Sequence, residues 1–516
     1  MPVTGGIREV ESMSLISVEF LLFTAALSAV YFLVPRKCQW AVMLAANMIF
    51  YLLVGKVFPV FLIVTCISAF SCAIMVDRVK ERFKRSRSEC HTREEKQKNK
   101  EACTRIQKCI MAVCFIFNFG IWTVLKCSHS LALPLGISFY TFTAMGYCID
   151  VYRGKYQAEK NFARFALFLS FFPHMLQGPF SRYNSLTETL FEVHKFSWSR
   201  IKEGGIRILW GVFKKTVIAY RFGLIADCIY GQKTAYEGLY IIILMIAVTL
   251  QLYADFSGYM DMAAGIGRIF GIRLEENFRQ PFFARSIEEF WRRWHITLGA
   301  WFRDYLFYPI SMGKGAQALG RKCRKRFGNA FARVVPSLIA LFVVWTATGF
   351  WHGNAWNFRI WGWMNFFFIG SGILLEPVYT KWKKLLHINT ESRWWKAFQM
   401  CRTFWLFAYM EMFSSADSAS EAIRLTVSMF HWSAPGGYAL LETFGMEGYD
   451  VAVLLFGVVL MGIVDVMKEK KIRMQDIADR IPLAIRYAGV VGLTYMILLL
   501  GDIGANAAKG FMYAQF

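Results

Sequence analysis

The chain has 516 residues and is 56% hydrophobic and 17% aromatic, with only 18% charged; soluble domains average about 45–50% apolar and about 25% charged. That balance excludes an ordinary water-soluble globular protein and implies an all-α polytopic membrane protein, with the lipid bilayer as its first partner. The net charge of +23 does not imply nucleic acid, because the basic residues fall in short blocks between apolar runs and leave no folded soluble surface to read a polymer.

Candidate spans lie near Leu15–Val34, Cys38–Val54, Val57–Val76, Cys109–Leu125, Leu239–Ala254, Val334–Trp351, Trp361–Leu375, Cys401–Phe413, Val451–Val466 and Tyr487–Leu500. The shorter ones are extended by their neighbours, and nine to twelve membrane segments are expected. The first run has no small-residue cleavage site and ends in Pro35-Arg36-Lys37, so it reads as a retained span rather than a removed signal peptide. Residues 77 to 108 hold 12 Lys or Arg against 6 Asp or Glu, and residues 321 to 333 hold 6 with no acid. Both are expected to be cytoplasmic loops by the positive-inside rule, facing the anionic inner leaflet. Counting back places Arg36-Lys37 inside, Gly55 to Phe58 outside and the amino terminus outside.

Twelve cysteines scatter through the apolar stretches with no Cys-x-x-Cys pair and no Cys/His grouping at zinc spacing. They read as small buried hydrophobes, and neither a disulfide framework nor a metal site is expected. No Gly-rich phosphate loop, nucleophile elbow or internal repeat is present, and the lack of a repeat disfavours a transporter built from symmetric halves.

Between Leu133 and Arg359 the apolar segments shorten, break at Pro and Gly, and carry charge, as in "LPLGISFYTFTAMGYCIDVYRG", "FLSFFPHMLQGPFSRY" and "QLYADFSGYMDMAAGIGRIFG". Broken helices leave backbone groups that hydrocarbon cannot satisfy, so these segments are expected to surround a water-accessible cavity. Asp255, Asp261 and Arg268 lie in this zone, as functional groups or as buried structural pairs. In "ARSIEEFWRRWHITLGAWFRDYLFYPI", residues 284 to 310, apolar residues recur every three or four positions. One amphipathic helix under the cytoplasmic interface is expected there, with His295 at the border of its apolar face as a packing residue or a functional one.

"GFWHGNAW", residues 349 to 356, joins the run from Val334 to the run ending at Lys381, Lys383 and Lys384. Two helices rooted in basic patches make a hairpin whose apex, with His352, points outward. His352 reads either as a helix-turn histidine at the interface or as a general base, with Gly353 allowing close approach and Asn354 orienting a substrate oxygen.

The run "EFWRRWHITLGAWFRDYLFYP", followed about 40 residues later by "GFWHG", resembles the membrane-bound O-acyltransferase superfamily. "LYADFSGYMDMAAGIGRIFGIRLEENFRQPF", "LPLGISFYTF" and "FFPHMLQGP" carry the same likeness, which is to the bacterial branch containing alginate O-acetyltransferase and the D-alanyl transferase of teichoic acids. The resemblance implies tilted and broken helices around a funnel or tunnel: a core over 130–360, N-terminal spans over 1–126 and C-terminal spans over 361–516 of one integral membrane domain. It also implies His352 as the catalytic residue and His295 as the second, supporting histidine. Trp351, Asn354, Arg303, Asp304, Asp255 and Asp261 become supporting or substrate-binding candidates.

The implied activity moves an acyl group, acetyl first, from an intracellular thioester (acetyl-CoA or an acyl carrier protein) toward hydroxyls of a cell-surface polysaccharide, with no bound cofactor. The implied partner is an extracellular acetyltransferase-type protein, and the implied location is the cell membrane. D-alanyl transfer to teichoic acid from a carrier protein is the close alternative, and a transporter or channel is the alternative from another class. Two departures bear on the acceptor: the long basic stretch "SMGKGAQALGRKCRKRFGNAF", and Ala514 where the branch has an aromatic residue.

Overall fold

The computed structural model describes residues 15–54, 59–89, 91–128, 133–175, 178–231, 236–431, 444–472, 477 and 480–502. The expectations for the amino terminus, Gly55 to Phe58 and Ala514 lie outside these residues. The described elements are helical, with a single isolated antiparallel bridge between Phe278 and Trp294.

The chain packs as two compact units. The first comprises residues 1–208, 262–275 and 503–510, and the second residues 209–261, 276–502 and 511–516. The first holds α1 (Val18–Leu33), α2 (Gln39–Val54), α3 (Val60–Glu89), α4 (Arg93–Cys127), α5 (Ile137–Arg153), α6 (Phe162–Ser170), α7 (Phe172–Met175) and α8 (Tyr183–Leu190). Parts of α9 (Trp198–Phe213) and α11 (Leu239–Phe270) belong to each unit. The second adds a π-turn at Lys214–Ala219, α10 (Tyr220–Gly231), α12 (Ile287–Arg293), α13 (Ile296–Phe302), a π-turn at Arg303–Phe307, α14 (Tyr308–Ser311) and α15 (Lys314–His352). It continues with α16 (Trp356–Leu374), α17 (Glu376–Leu385), α18 (Arg393–Ser415), α19 (Ala419–Ser428) and the helices Gly448–Glu469 and Leu483–Leu500.

Seven described helices are long and apolar enough to cross a membrane, or eight if α16 and α17, bent by 62°, count as one broken span. That is fewer than the nine to twelve expected. The first apolar run forms a helix of only 16 residues, and the run at Cys401–Phe413 lies in α18, which carries Arg402 and Glu411 and falls outside the set. The spanning helices leave Leu, Val and Phe side chains exposed, and Leu483–Leu500 has only 6% of its apolar window buried. Water would not tolerate that surface, whereas lipid does.

The two expected basic loops are helical. Residues 77 to 89 extend α3, and α4 starts at Arg93 behind a capping box in which Thr92 accepts from the Glu95 amide and Glu95 accepts from the Thr92 amide. Glu, Lys and Arg are good helix formers, so charge alone does not stop a helix once a cap starts it. Residues 321 to 333 lie inside α15, which breaks only at Gly328 (φ 80°, ψ 176°).

In the first unit the segment α6–α7 is interrupted at Phe171. Asn47 of α2 covers the break: its Oδ1 accepts from the Phe172 amide at 3.1 Å and its Nδ2 donates to Ser170 Oγ at 3.3 Å. Phe20, Phe50 and Phe172 pack around it with ring centroids 5.3–6.1 Å apart. In the second unit α15 and α16 form the expected hairpin. A Cβ at Gly362 would lie 2.4 Å from the Trp345 carbonyl oxygen, and one at Gly349 would lie 2.6 Å from that of Phe358. Only glycine allows the two backbones to come so close.

Candidate active site

The second unit contains both motif histidines. The amphipathic helix expected over 284 to 310 is broken: α12 ends at Arg293, and His295 takes left-handed backbone angles (φ 46°, ψ 49°) before α13 starts. Asn277 holds the break open. Its carbonyl accepts from the Ile296 amide at 3.1 Å, and its Oδ1 accepts from the Thr297 amide at 3.0 Å and from Thr297 Oγ1 at 2.7 Å. A single long helix would have left His295 on an interfacial face; the break turns it inward, where it is 2% exposed. Burial pushes its pKa down to about 3, so the imidazole is neutral at physiological pH.

His352 is the last residue of α15 and is 7% exposed. Trp351 touches both histidines, with ring centroids 6.1 Å from His295 and 4.8 Å from His352. Phe256 also packs against His295, edge to face, at 4.9 Å. The Trp361 indole also packs against His352, 4.7 Å away. Trp361 Nε1 donates to Glu411 Oε1 at 3.0 Å, and Ser414 Oγ donates to Glu411 Oε2 at 2.8 Å. Trp291 and Trp345 complete the aromatic wall within 6 Å of Trp361, and Trp291 Nε1 donates to Asn365 Oδ1 at 2.7 Å.

The other sequence candidates divide. Asn354 is exposed and accepts from Arg359 at 2.9 Å, while Asn357, three residues on, is buried and donates to the Ala416 carbonyl at 2.7 Å. Gly353 faces the Phe358 ring, which a Cβ would meet at 2.2 Å. Arg303 and Asp304 pair with each other at 3.0 Å on a more exposed part of the π-turn. Asp255 and Asp261 line a separate polar cluster, paired with Lys215 and Lys214 at 2.7 Å each. Lys214, Asp261, Asp465, Glu276 and Lys468 line a small polar cleft with room for water.

Sequence reasoning passed over Asn277, Trp361, Glu411, Lys214 and Lys215. The only hint was polar residues within apolar runs, because each pairing joins distant parts of the chain. The one described group of side chains spaced to hold a metal ion lies elsewhere, in three cysteines.

Exposed apolar helices and interrupted helices capped by their neighbours define an all-α multi-pass membrane protein, in which both motif histidines are buried. The profile of the membrane-bound O-acyltransferase family matches residues 158–321. "Probable alginate O-acetylase AlgI" of Pseudomonas putida is 31% identical over 399 residues, covering 74% of this chain and 75% of that protein. Its namesake in Pseudomonas syringae pv. tomato is 32% identical over 363 residues, covering 68% of this chain and 64% of that protein, so the chain matches just under two thirds of the latter's length. The teichoic acid D-alanyltransferase of Streptococcus thermophilus is 28% identical over 292 residues, covering 54% of this chain and 67% of that protein. The chain belongs to the membrane-bound O-acyltransferase family.

Proposed function

We propose that this protein transfers an acyl group, acetyl in the leading reading, from an intracellular thioester to a hydroxyl of a cell-surface polysaccharide. The observation that carries the reading is that both buried histidines, His295 and His352, pack against one indole, that of Trp351. His352 accepts the proton of the acceptor hydroxyl as its oxygen attacks the thioester carbonyl. The tetrahedral intermediate then collapses, the C–S bond breaks, and His352 returns the proton to the departing thiolate. No covalent enzyme intermediate is required. His295, neutral and fixed by the backbone break, supports the donor side of the site. The outward position of His352, the cell membrane location and an extracellular acetyltransferase-type partner belong to the same reading.

D-alanyl transfer is the second reading, favoured by the similarity to the teichoic acid enzyme and by the basic residues 321–333, which suit an acidic carrier protein. Membranes carrying the protein, supplied with labelled acetyl-CoA or with a D-alanyl-loaded carrier, distinguish the donors by which label reaches polymer. In the same assay His352→Ala abolishes transfer and His295→Ala weakens it less, with both variants present at normal levels. Normal product from His352→Ala overturns the mechanism, and gradual loss of a solute flux without any acyl donor would instead indicate a transporter.

A further inference from the structure

Although no two of the cysteines suggest a metal motif in sequence, α3, α4 and α5 bring Cys72, Cys114 and Cys148 to one point. Their Sγ atoms all lie within 4.8 Å of one another. The three residues are 1%, 6% and 0% exposed. Met111, one turn before Cys114 on α4, puts its Sδ 3.7 Å from Cys72 Sγ. Asn118, one turn after Cys114, donates from Nδ2 to the Cys114 carbonyl at 2.9 Å and to Ser68 Oγ at 3.0 Å, with Cys114 Sγ 3.5 Å from the same nitrogen. Among the described residues no imidazole or carboxylate joins the group.

We propose that these four sulfurs form a binding site for a soft monovalent d¹⁰ cation of the Cu(I) type. Two observations carry it. The donors are three thiols and a thioether, a set that suits Cu(I) over harder ions, and a thioether is not among the ligands that build structural zinc sites. The sulfurs come from three separate helices, so each is aimed by its own backbone and the site is assembled by the fold.

Binding forms Cu–S bonds and releases thiol protons to water, with no change of oxidation state. A monovalent ion needs the loss of only one proton to leave a neutral cluster, whereas a divalent ion needs two. The bound ion would tie α3, α4 and α5 together at one point.

The test uses the full chain in detergent, reduced and oxygen-free, titrated with Cu(I) against the chelator bicinchoninate. Retention of one Cu(I) per chain with a sulfur-only first shell by X-ray absorption is expected. Cys148→Ser and Cys72→Ser each lower affinity by about tenfold or more, and Cys109→Ser, an exposed cysteine on the same helix as Cys114, leaves it unchanged. Loss of all copper to the chelator, a nitrogen or oxygen shell, or equal retention by the Cys72, Cys114, Cys148 triple serine variant overturns the site. If the serine variants fail to fold, the absorption spectrum of the unaltered protein decides alone.

Discussion

The imidazole of His352 and the indole of Trp361 lie 4.7 Å apart, centroid to centroid, inclined at 71°. The indole is held in turn by Glu411 across 50 residues of sequence, so a carboxyl group on another helix fixes the ring against which His352 packs. Trp361→Phe keeps the ring and removes the N–H. It is expected to cost about 1–3 kcal/mol of stability and to lower kcat about tenfold with donor KM nearly unchanged, the effect of a roughly 1.4 kcal/mol rise in the barrier. Glu411→Gln retains an acceptor and stays near normal, while Glu411→Ala behaves like Trp361→Phe. Equal behaviour of the two Glu411 variants in kinetics and thermal unfolding would remove Glu411 from this positioning role.

Gly362 offers a second handle on the same hairpin. Its substitution by Ala places a methyl group 2.4 Å from the Trp345 carbonyl oxygen, so α15 and α16 must separate. A stability loss of about 1–3 kcal/mol is expected, with a fall in acyl transfer at unchanged protein level. A Gly372→Ala control, with open space around its Cβ, should change neither thermal midpoint nor activity.

The buried pair Lys214–Asp261, with side chains 5% and 8% exposed, should behave as a unit. Removing one partner leaves the other charged and buried, a cost of about 3–5 kcal/mol. Lys214→Met alone should therefore lower the unfolding midpoint more than Lys214→Met combined with Asp261→Leu. A double variant worse than the sum of the singles would refute the pairing argument.

His295 predicts an acid limb of stability. Its pKa is about 3 in the folded chain against an ordinary 6.5. Between those values the unfolded chain binds a proton that the folded chain refuses, so stability falls as pH drops from about 6.5 toward about 3. Thermal midpoints measured across that range should decline less steeply in His295→Gln than in the unaltered protein. Parallel curves would mean that His295 does not carry the proton.

What the sequence made legible was local. Apolar run length located most spans, basic patches at both feet identified the α15–α16 hairpin, and the family motifs singled out His295 and His352. The break at His295 was invisible because residues 284 to 310 keep helical periodicity through it, and the competing force comes from Asn277, outside that window. The cysteine group was invisible for the same reason: spacing of 42 residues from Cys72 to Cys114 and 34 from there to Cys148 has no meaning until three helices pack. Periodicity reports which face of a helix is apolar, and not which residue of a distant helix will meet it.

Asn47 carries a consequence for how the chain enters a membrane. An asparagine in the apolar α2 is a burden to that helix alone, and the interrupted α6–α7 segment is a burden alone, since both expose polar groups to hydrocarbon. Each relieves the other through contacts that span more than 120 residues. The second helix inserted during synthesis is therefore not at rest until the sixth arrives, and a chain truncated between them should be retained by quality control as an incomplete membrane protein.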